Sequence, residues 1–558
     1  MSHLPRLRRA VTALTRRRFH PLLVLALLAG SGVSAWAIVT SSELTIVKQL
    51  HQPVHVKTFM NELNDLVAAG KQLDAFNLAF ERGDTIFGNV FNAVDGSGVN
   101  VGNGERYSHV PRADLTGPGQ WFNHTPFRVT GPNAAGCFEC HNRPVEDGAG
   151  LPSGNVHRDP TRSASLGKFI ERNTPHLFGA GGIQRVAEEM TDELRGKVTA
   201  AIATCPNVGC RVSVTLTTKG INFGTVVITR TTVDPTTPPN NCNGTDAIPF
   251  IDPVDCLAGV TADITGLQGI ARDLVVRGFQ WKGSIAFIRD FNRDASNQEI
   301  GMQSVELVGE EIDGDFDGVV NELRVGDQTA LALYIAGQPR PTTRQELTKL
   351  NLLPAAQKVG STEAAAISRG SSTFAQIGCA TCHVPSLTIN KATFSEPSQN
   401  ANFRDKIFPA GQDPLSRSLS PATAVKFDLT KDQPDNRVVV NGSEVRFGAF
   451  EKGSSSGSAV VRLYGDLKRH EMGARLAEQV DEIGSGASTW LTENLWGVGS
   501  TAPYLHDGRA TTLTEAILEH GGESQASRDA FAALSTTSKT DVITFLNNLV
   551  LFVVPEED

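Results

Sequence analysis

Positive charge is in short supply. Lys and Arg total 51 against 60 Asp and Glu, a formal net charge of −9. Residues 1–37 carry six arginines (Arg6, Arg8, Arg9, Arg16, Arg17, Arg18) and no acid, so without them the balance is −9 − 6 = −15. A chain this acidic is a poor partner for nucleic acid or for an anionic membrane surface. Long apolar runs are also missing. Beyond Pro21–Ala29 no segment is long and apolar enough to span a bilayer. Cysteine is scarce, eight in 558 residues. Four of them, Cys205, Cys210, Cys242 and Cys256, have no histidine at metal-ligand spacing, which disfavours zinc.

The other four cysteines stand in two unbroken runs, Cys137-Phe138-Glu139-Cys140-His141 and Cys379-Ala380-Thr381-Cys382-His383. A lone C-x-x-C reads equally as a redox dithiol or half a zinc site. Two copies, each closed by His, point instead to covalent attachment of two haems. The paired thiols bond one porphyrin, and the following His becomes the axial ligand.

The N-terminus agrees with that chemistry. A basic stretch, the apolar Pro21-Leu22-Leu23-Val24-Leu25-Ala26-Leu27-Leu28-Ala29 and the A-x-A site Ala35-Trp36-Ala37 form a secretory signal over residues 1–37. An uncleaved anchor is the alternative, and would be the chain's only tie to a membrane. Thr15-Arg16-Arg17-Arg18-Phe19 resembles a twin-arginine signal. The Sec route is preferred, because c-type haems are attached after export. The expected location is therefore the periplasm, where Cys205, Cys210, Cys242 and Cys256 read as two disulfides; three pairings are open, of which Cys205–Cys210 with Cys242–Cys256 is the local one.

Along the mature chain, Leu63, Leu66, Val67, Leu73, Phe76 and Leu78 suggest helix over 43–82. Alternation at Val212, Val214, Leu216, Val226 and Ile228 suggests a hairpin over 211–232. His124, ahead of the first motif, reads as a surface or propionate-facing residue rather than a ligand. Trp281 and Glu299 taken alone read as core and solvated residues. Asp313-Gly314-Asp315-Phe316-Asp317-Gly318 repeats the D-x-D-x-D-G opening of a calcium loop. The twelfth position holds Arg324 where an EF-hand needs Glu, and Glu322 is the nearest acid. The expected ligands are Asp313, Asp315, Asp317 and Glu322, in a structural brace rather than a sensor, with a solvated acidic turn as the alternative.

The two haem motifs, together with Leu495-Trp496-Gly497-Val498-Gly499, Thr501-Ala502-Pro503-Tyr504-Leu505-His506-Asp507-Gly508-Arg509 and Ile517-Leu518-Glu519-His520-Gly521-Gly522-Glu523, resemble one family. It is the bacterial di-haem oxidoreductases described as peroxidases or thiol oxidoreductases, related to di-haem cytochrome c peroxidases and MauG-type enzymes and, more distantly, to rubber oxygenases. The resemblance spans roughly residues 75–552 and is densest in the C-terminal third.

The resemblance implies roles for particular residues. Trp281 matches the family's tryptophan between the haems, and Glu299 matches the acid over the open face of the N-terminal haem. The midway and following positions depart from the family, reading Asp290 and Ile300. His520 stands where peroxidase relatives have Met and MauG-type relatives have Tyr, which implies a bis-His second haem with His383. His470 is the runner-up ligand and Met472 a third. His506 is expected near a propionate. No spare cysteine pair supports the thiol label.

The expected fold is mainly α: two cytochrome c-like haem domains packed face to face, with long loops and a small β insert. Their bounds are 38–355 (insert about 196–262, calcium loop 313–324) and 356–558. The expected function is peroxide reduction at the N-terminal haem, with electrons from an external donor such as a small cytochrome c or cupredoxin, relayed by the C-terminal haem. The cofactors are two covalent haems c and Ca2+. The alternatives are an electron-transfer cytochrome, or an O2-using oxygenase or maturase of the same superfamily.

Overall fold

Gly83 and Gly370 each sit where two helices cross too closely for a side chain. A methyl at Gly83, in the Gln72–Gly88 helix, would collide with the Ala330 carbonyl of the Val325–Ala336 helix. One at Gly370, in the Ser361–Gln376 helix, would collide with the Asp541 carbonyl of the Thr536–Asn547 helix. These two tight pairs frame the regions that carry the two C-x-x-C-H turns. The coordinates are a computed structural model that describes residues 50–552, apart from 103–104, 235, 237–252, 402, 405–407 and 410. The expected signal segment 1–37 and Cys242 lie outside the described residues. Among the described residues no helix is long and apolar enough to cross a membrane.

Residues Pro53–Asp558 form one contact unit. The helix expected over 43–82 is two helices in its described part, Met60–Ala68 and Gln72–Gly88, separated at Gly70, whose φ of +75° ends the first. The second buries Ala75, Phe76, Ala79, Phe80, Gly83, Ile86 and Phe87, an i, i+3/i+4 stripe, and leaves Leu73 exposed. Gly83 lets the neighbouring helix come close, while Phe80 and Phe87 pack on its Tyr334.

A mainly α protein of two cytochrome c-like domains is not what is seen. Among the described residues there are 11 α-helices and several small sheets, at 35% helix and 15% strand. Among the described residues, seven sheets of two or three strands lie between and around the helices. Most of their strands are two to four residues long, too short to carry a period-two pattern. Some of the pairing is also non-local, as in Thr393–Glu396 with Val425–Asp428 and Thr342–Thr343 with Leu549–Val550.

Longer strands were legible. Arg211–Thr218 and Ile221–Arg230 form an antiparallel hairpin with Lys219 and Gly220 both at positive φ in its turn. Val260–Asp263 adds a third strand. The buried face, with Val214, Leu216, Val226 and Ile228, packs on the Ala180–Ala203 helix. Cys205 and Cys210 are disulfide-bonded across the short link from that helix to the hairpin, with Cα atoms 5.5 Å apart.

Candidate functional site

Each C-x-x-C-H run forms one tight turn at the wall of a cavity. Cys137–Glu139 and Cys379–Thr381 are single 3₁₀ turns, which turn both cysteines and the following histidine toward the same side. A cavity of about 120 Å³ is lined by Cys137, Cys140, His141, Trp281 and Glu299. A larger one, about 330 Å³, is lined by Cys379, Cys382, His383, His520 and again Trp281. Neither C-x-x-C pair is closed as a disulfide. Burial pushes the Cys137 and Cys140 thiols up to about 12 and the Cys379 thiol up to about 11. A redox dithiol needs a lowered thiol pKa, so these pairs are not built for exchange.

The histidines are oriented for ligation. Nδ1 of His141 meets the Gly148 carbonyl at 3.1 Å, Nδ1 of His383 the Tyr464 carbonyl at 3.2 Å, and Nδ1 of His520 the Ala516 carbonyl at 2.8 Å. A carbonyl can only accept, so the proton sits on Nδ1 and each Nε2 keeps its lone pair. Burial holds His141 and His383 down to about 4 and lowers His520, which keeps all three neutral.

The ring centres of His383 and His520 are 6.4 Å apart. Two imidazoles bound to one ion from opposite sides, at about 2 Å each, have centres roughly 6.3 Å apart. The residues present therefore fit a metal held between them. His470, the runner-up, is held differently: its Nδ1 meets Glu523 at 2.8 Å and lies 4.0 Å from Cys382 Sγ, and its Nε2 meets Asp466 at 2.9 Å. Met472 lines the larger cavity, with Ser524 Oγ 3.8 Å from its sulfur. His506 lies flat on Trp490, ring centres 3.9 Å apart and planes 16° from parallel. His124 is buried, against Trp121 and Phe316 beside the acidic loop, and belongs to neither cavity. It is thus not a surface residue.

Trp281 lines both cavities, and its Nε1 donates to the Asn173 carbonyl at 2.8 Å. Glu299 lies in a π-helical turn, Ser296–Ile300, a distortion frequent at functional sites. The segment leading into the first motif clamps this turn. Asn133 and Ala134 donate to the Glu299 carbonyl at 2.7 and 3.1 Å. Arg128, fully buried, donates to the Gln298 carbonyl at 2.8 Å and to Asn297 Oδ1 at 3.0 Å. Glu299 shows part of its surface to the cavity but is otherwise enclosed, and its Oε2 has no hydrogen-bond partner among the described residues. Burial and nearby Asp294 push its carboxyl up to about 8, against the pull of Arg158 and Arg128.

The acidic loop converges as its spacing suggested. Oxygen atoms of Asp313, Asp315 and Asp317 lie within 4.8 Å of one another. Both carboxylate oxygens of buried Asp315, and Oε1 of buried Glu322, have no hydrogen-bond partner. Burial raises Asp315 and Glu322 well above the usual carboxylate range. Asp317 is salt-bridged to Arg106 at 3.0 Å.

Sequence reasoning missed Arg128, the buried stack of Lys282 on Trp490 (Nζ 3.8 Å from the ring centre), and Glu493. None stands in a periodic or ligand-spaced pattern. Arg128 could have been found only as an arginine in an otherwise loop-like stretch.

Two histidine-lined cavities, each opening on a C-x-x-C-H turn and sharing one indole, define a two-centre cofactor protein. Residues 454–549 match the family model described as "Di-haem oxidoreductase, putative peroxidase", which agrees with the motifs the C-terminal third carries. The family's name implies haem cofactors and oxidoreductase chemistry. No curated protein matches the chain.

Proposed function

We propose that the protein is a periplasmic di-haem c-type oxidoreductase that reduces hydrogen peroxide at the smaller cavity, with electrons relayed from the larger one. The observation that carries this reading is the asymmetry of the two cavities. In the larger, a second imidazole stands 6.4 Å from His383. In the smaller, the residue lining the wall with His141 is Glu299, an enclosed carboxyl without a hydrogen-bond partner for one oxygen.

Cys137, Cys140 and His141 would hold one haem, and Cys379, Cys382, His383 and His520 the other; when bound, the haems supply the electrons that cleave the O–O bond. The chain's own residues manage protons and position. Glu299 takes a proton from peroxide and returns it to the leaving oxygen, a role suited to a carboxyl whose pKa burial has brought near the working pH. The Asn133, Ala134 and Arg128 bonds fix the turn that carries it. Trp281 borders both sites and is held by Asn173, which suits a relay. The donor would be a small cytochrome c or cupredoxin.

The test is EPR of the fully oxidised holoprotein, before and after a small excess of peroxide. The expected result is one high-spin and one low-spin ferric signal, with only the high-spin one consumed. Two low-spin signals that peroxide leaves unchanged, even after one-electron reduction, would make the protein an electron carrier.

Asp313, Asp315, Asp317 and Glu322 are proposed to hold Ca2+. Carboxylates this close repel one another, Asp315 and Glu322 keep buried oxygens without a partner among the described residues, and a hard divalent cation removes that cost. Calcium at 100 times its Kd should stabilise the fold by about 2.7 kcal/mol. That corresponds to a rise in Tm of several degrees, reversed by EGTA and lost in Asp315→Asn. An unchanged melting curve with and without EGTA would mean a solvated acidic loop.

A further inference from the structure

Among the enclosed acids, Glu493 is unusual. Glu478 and Glu482 pair with Arg172, and Glu482 also with Arg158. Glu306 pairs with Arg289 and Arg293, and Glu396 with Arg289. The Glu493 carboxyl makes no hydrogen bond and no ion pair with any described residue, although burial is sufficient to push it up to about 7. Glu493 is half-buried and opens on the cavities, so its ionised form gives up part of its solvation and gains no partner from the described residues in return.

Its place is fixed by the backbone around it. Thr492 N–H donates to the Lys468 carbonyl at 3.0 Å and Leu495 N–H to the Tyr464 carbonyl at 3.4 Å; the Tyr464 carbonyl also receives His383 Nδ1. Glu493 thus stands on a segment tied to the support of the second haem's candidate ligand. It lines the 330 Å³ cavity that holds His383 and His520. It also lines a neighbouring cavity of about 60 Å³, together with Trp281 and His176.

The histidines and the arginine at these walls are engaged elsewhere, and burial raises Tyr504 so that its phenol stays protonated. His176 Nε2 meets the Trp496 carbonyl at 3.0 Å, His470 is held by Asp466 and Glu523, and His506 is stacked on Trp490. Arg528 pairs with Asp529. His383 and His520 have their Nδ1 atoms on carbonyls.

We propose that Glu493 is the proton-holding group for the electron-carrying cavity: it binds one proton as one electron arrives from the donor and releases it as the electron leaves past Trp281. The balance is one electron and one proton in, then one electron and one proton out. The iron is reduced and reoxidised by one unit, the carboxylate becomes the acid and reverts, and no other bond changes. The physical cause is charge. An added electron in a poorly solvated cavity repels a nearby carboxylate, so reduction raises that group's proton affinity and draws a proton from water. Glu299 then meets the proton demand at the smaller cavity while Glu493 keeps the larger one electrically level. The inference rests on the proposed function for the presence of an electron-carrying haem here.

The test is spectroelectrochemistry of the holoprotein from pH 5 to 9, reading the midpoint potential of the low-spin haem. In the wild type the midpoint should fall as pH rises through about 7, by up to about 59 mV per unit, the one-electron value for a tenfold change. In Glu493→Gln it should be flat over that range with the low-spin spectrum unchanged. A flat wild-type profile, or the same slope in the variant, overturns the proposal. Should the variant fail to take up haem, proton uptake on reduction of the wild type decides: uptake near pH 7 that is lost at pH 5 supports Glu493, and none near pH 7 overturns it. Peroxide consumption of the high-spin signal is read on the same samples. Survival of that reaction beside a flat potential profile refutes the role of Glu493 alone, whereas absence of a low-spin haem refutes the proposed function itself.

Discussion

Glu299→Gln is expected to slow peroxide-dependent turnover by about 10²–10⁴-fold, the usual contribution of a positioned acid–base group. Both haems should remain in place, because the turn that carries the residue is held through its backbone: the Glu299 carbonyl, Gln298 and Asn297 make the bonds, not the Glu299 carboxyl. Glutamine keeps the shape but cannot take a proton. The pH dependence separates this role from a structural one. With the carboxyl at about 8, the base form is the minority at neutral pH. The rate of peroxide consumption should therefore rise about tenfold per pH unit up to that point and level above it.

Stability should run the other way. A carboxyl raised from 4.5 to about 8 keeps its proton in the folded state after the unfolded chain has lost it, so this group's contribution falls as pH rises through that window. The glutamine variant should lack both trends. A variant with unchanged peroxide kinetics and the same pH profile would remove Glu299 from the chemistry.

His520→Ala should have the second largest effect, on the electron-carrying site. His520 is set at the end of the Leu513–Glu519 helix, whose capping box, Thr512 with Glu515, fixes its start. Its Nδ1–H is directed to Ala516 four residues back, which points Nε2 away from the helix. Removing the imidazole opens the sixth position, so the low-spin EPR signal should be replaced by a high-spin one. Axial ligands set haem potentials over about 0.8 V, and loss of this one should move the midpoint by on the order of 0.1 V. Donor-driven turnover should fall with it. Added imidazole should restore the low-spin signal, because the deleted side chain leaves a space of its own size beside His383. Persistence of the low-spin signal in the variant without added imidazole would show that another residue supplies the ligand; Met472, which lines the same cavity, would then be the first to test.

The helices and hairpin with long apolar patterns could be read in advance, and the misreadings among them have a physical cause. Of the residues that suggest this helix, Phe76 is on the packed face of Gln72–Gly88 and Leu73 is exposed, because the rest of that face includes Ala and Gly at a close crossing, which hydrophobicity underweights. The expectation of a mainly α fold failed on strands two to four residues long whose partners lie tens of residues away. His124 read as superficial because its immediate neighbours are polar and loop-like. Its burial comes from Trp121 and from Phe316, nearly two hundred residues later.

By itself the sequence determined the chemistry that depends on contiguous residues: two C-x-x-C-H turns, an alternating acidic loop, and the motifs of a di-haem oxidoreductase between 454 and 549. The first two are local because the thiols and histidine of one attachment site, and the alternating acids of one cation loop, come from within a turn or two of chain. The resemblance already implied His520 and Trp281; the tertiary structure alone decided how His470 is held by Asp466 and Glu523, and that Oε2 of Glu299 and the Glu493 carboxyl line the cavities without a hydrogen-bond partner among the described residues. Those outcomes depend on which arginines and carbonyls distant segments bring up, and on which groups they leave unpaired, and burial at that scale is a property of the packed chain.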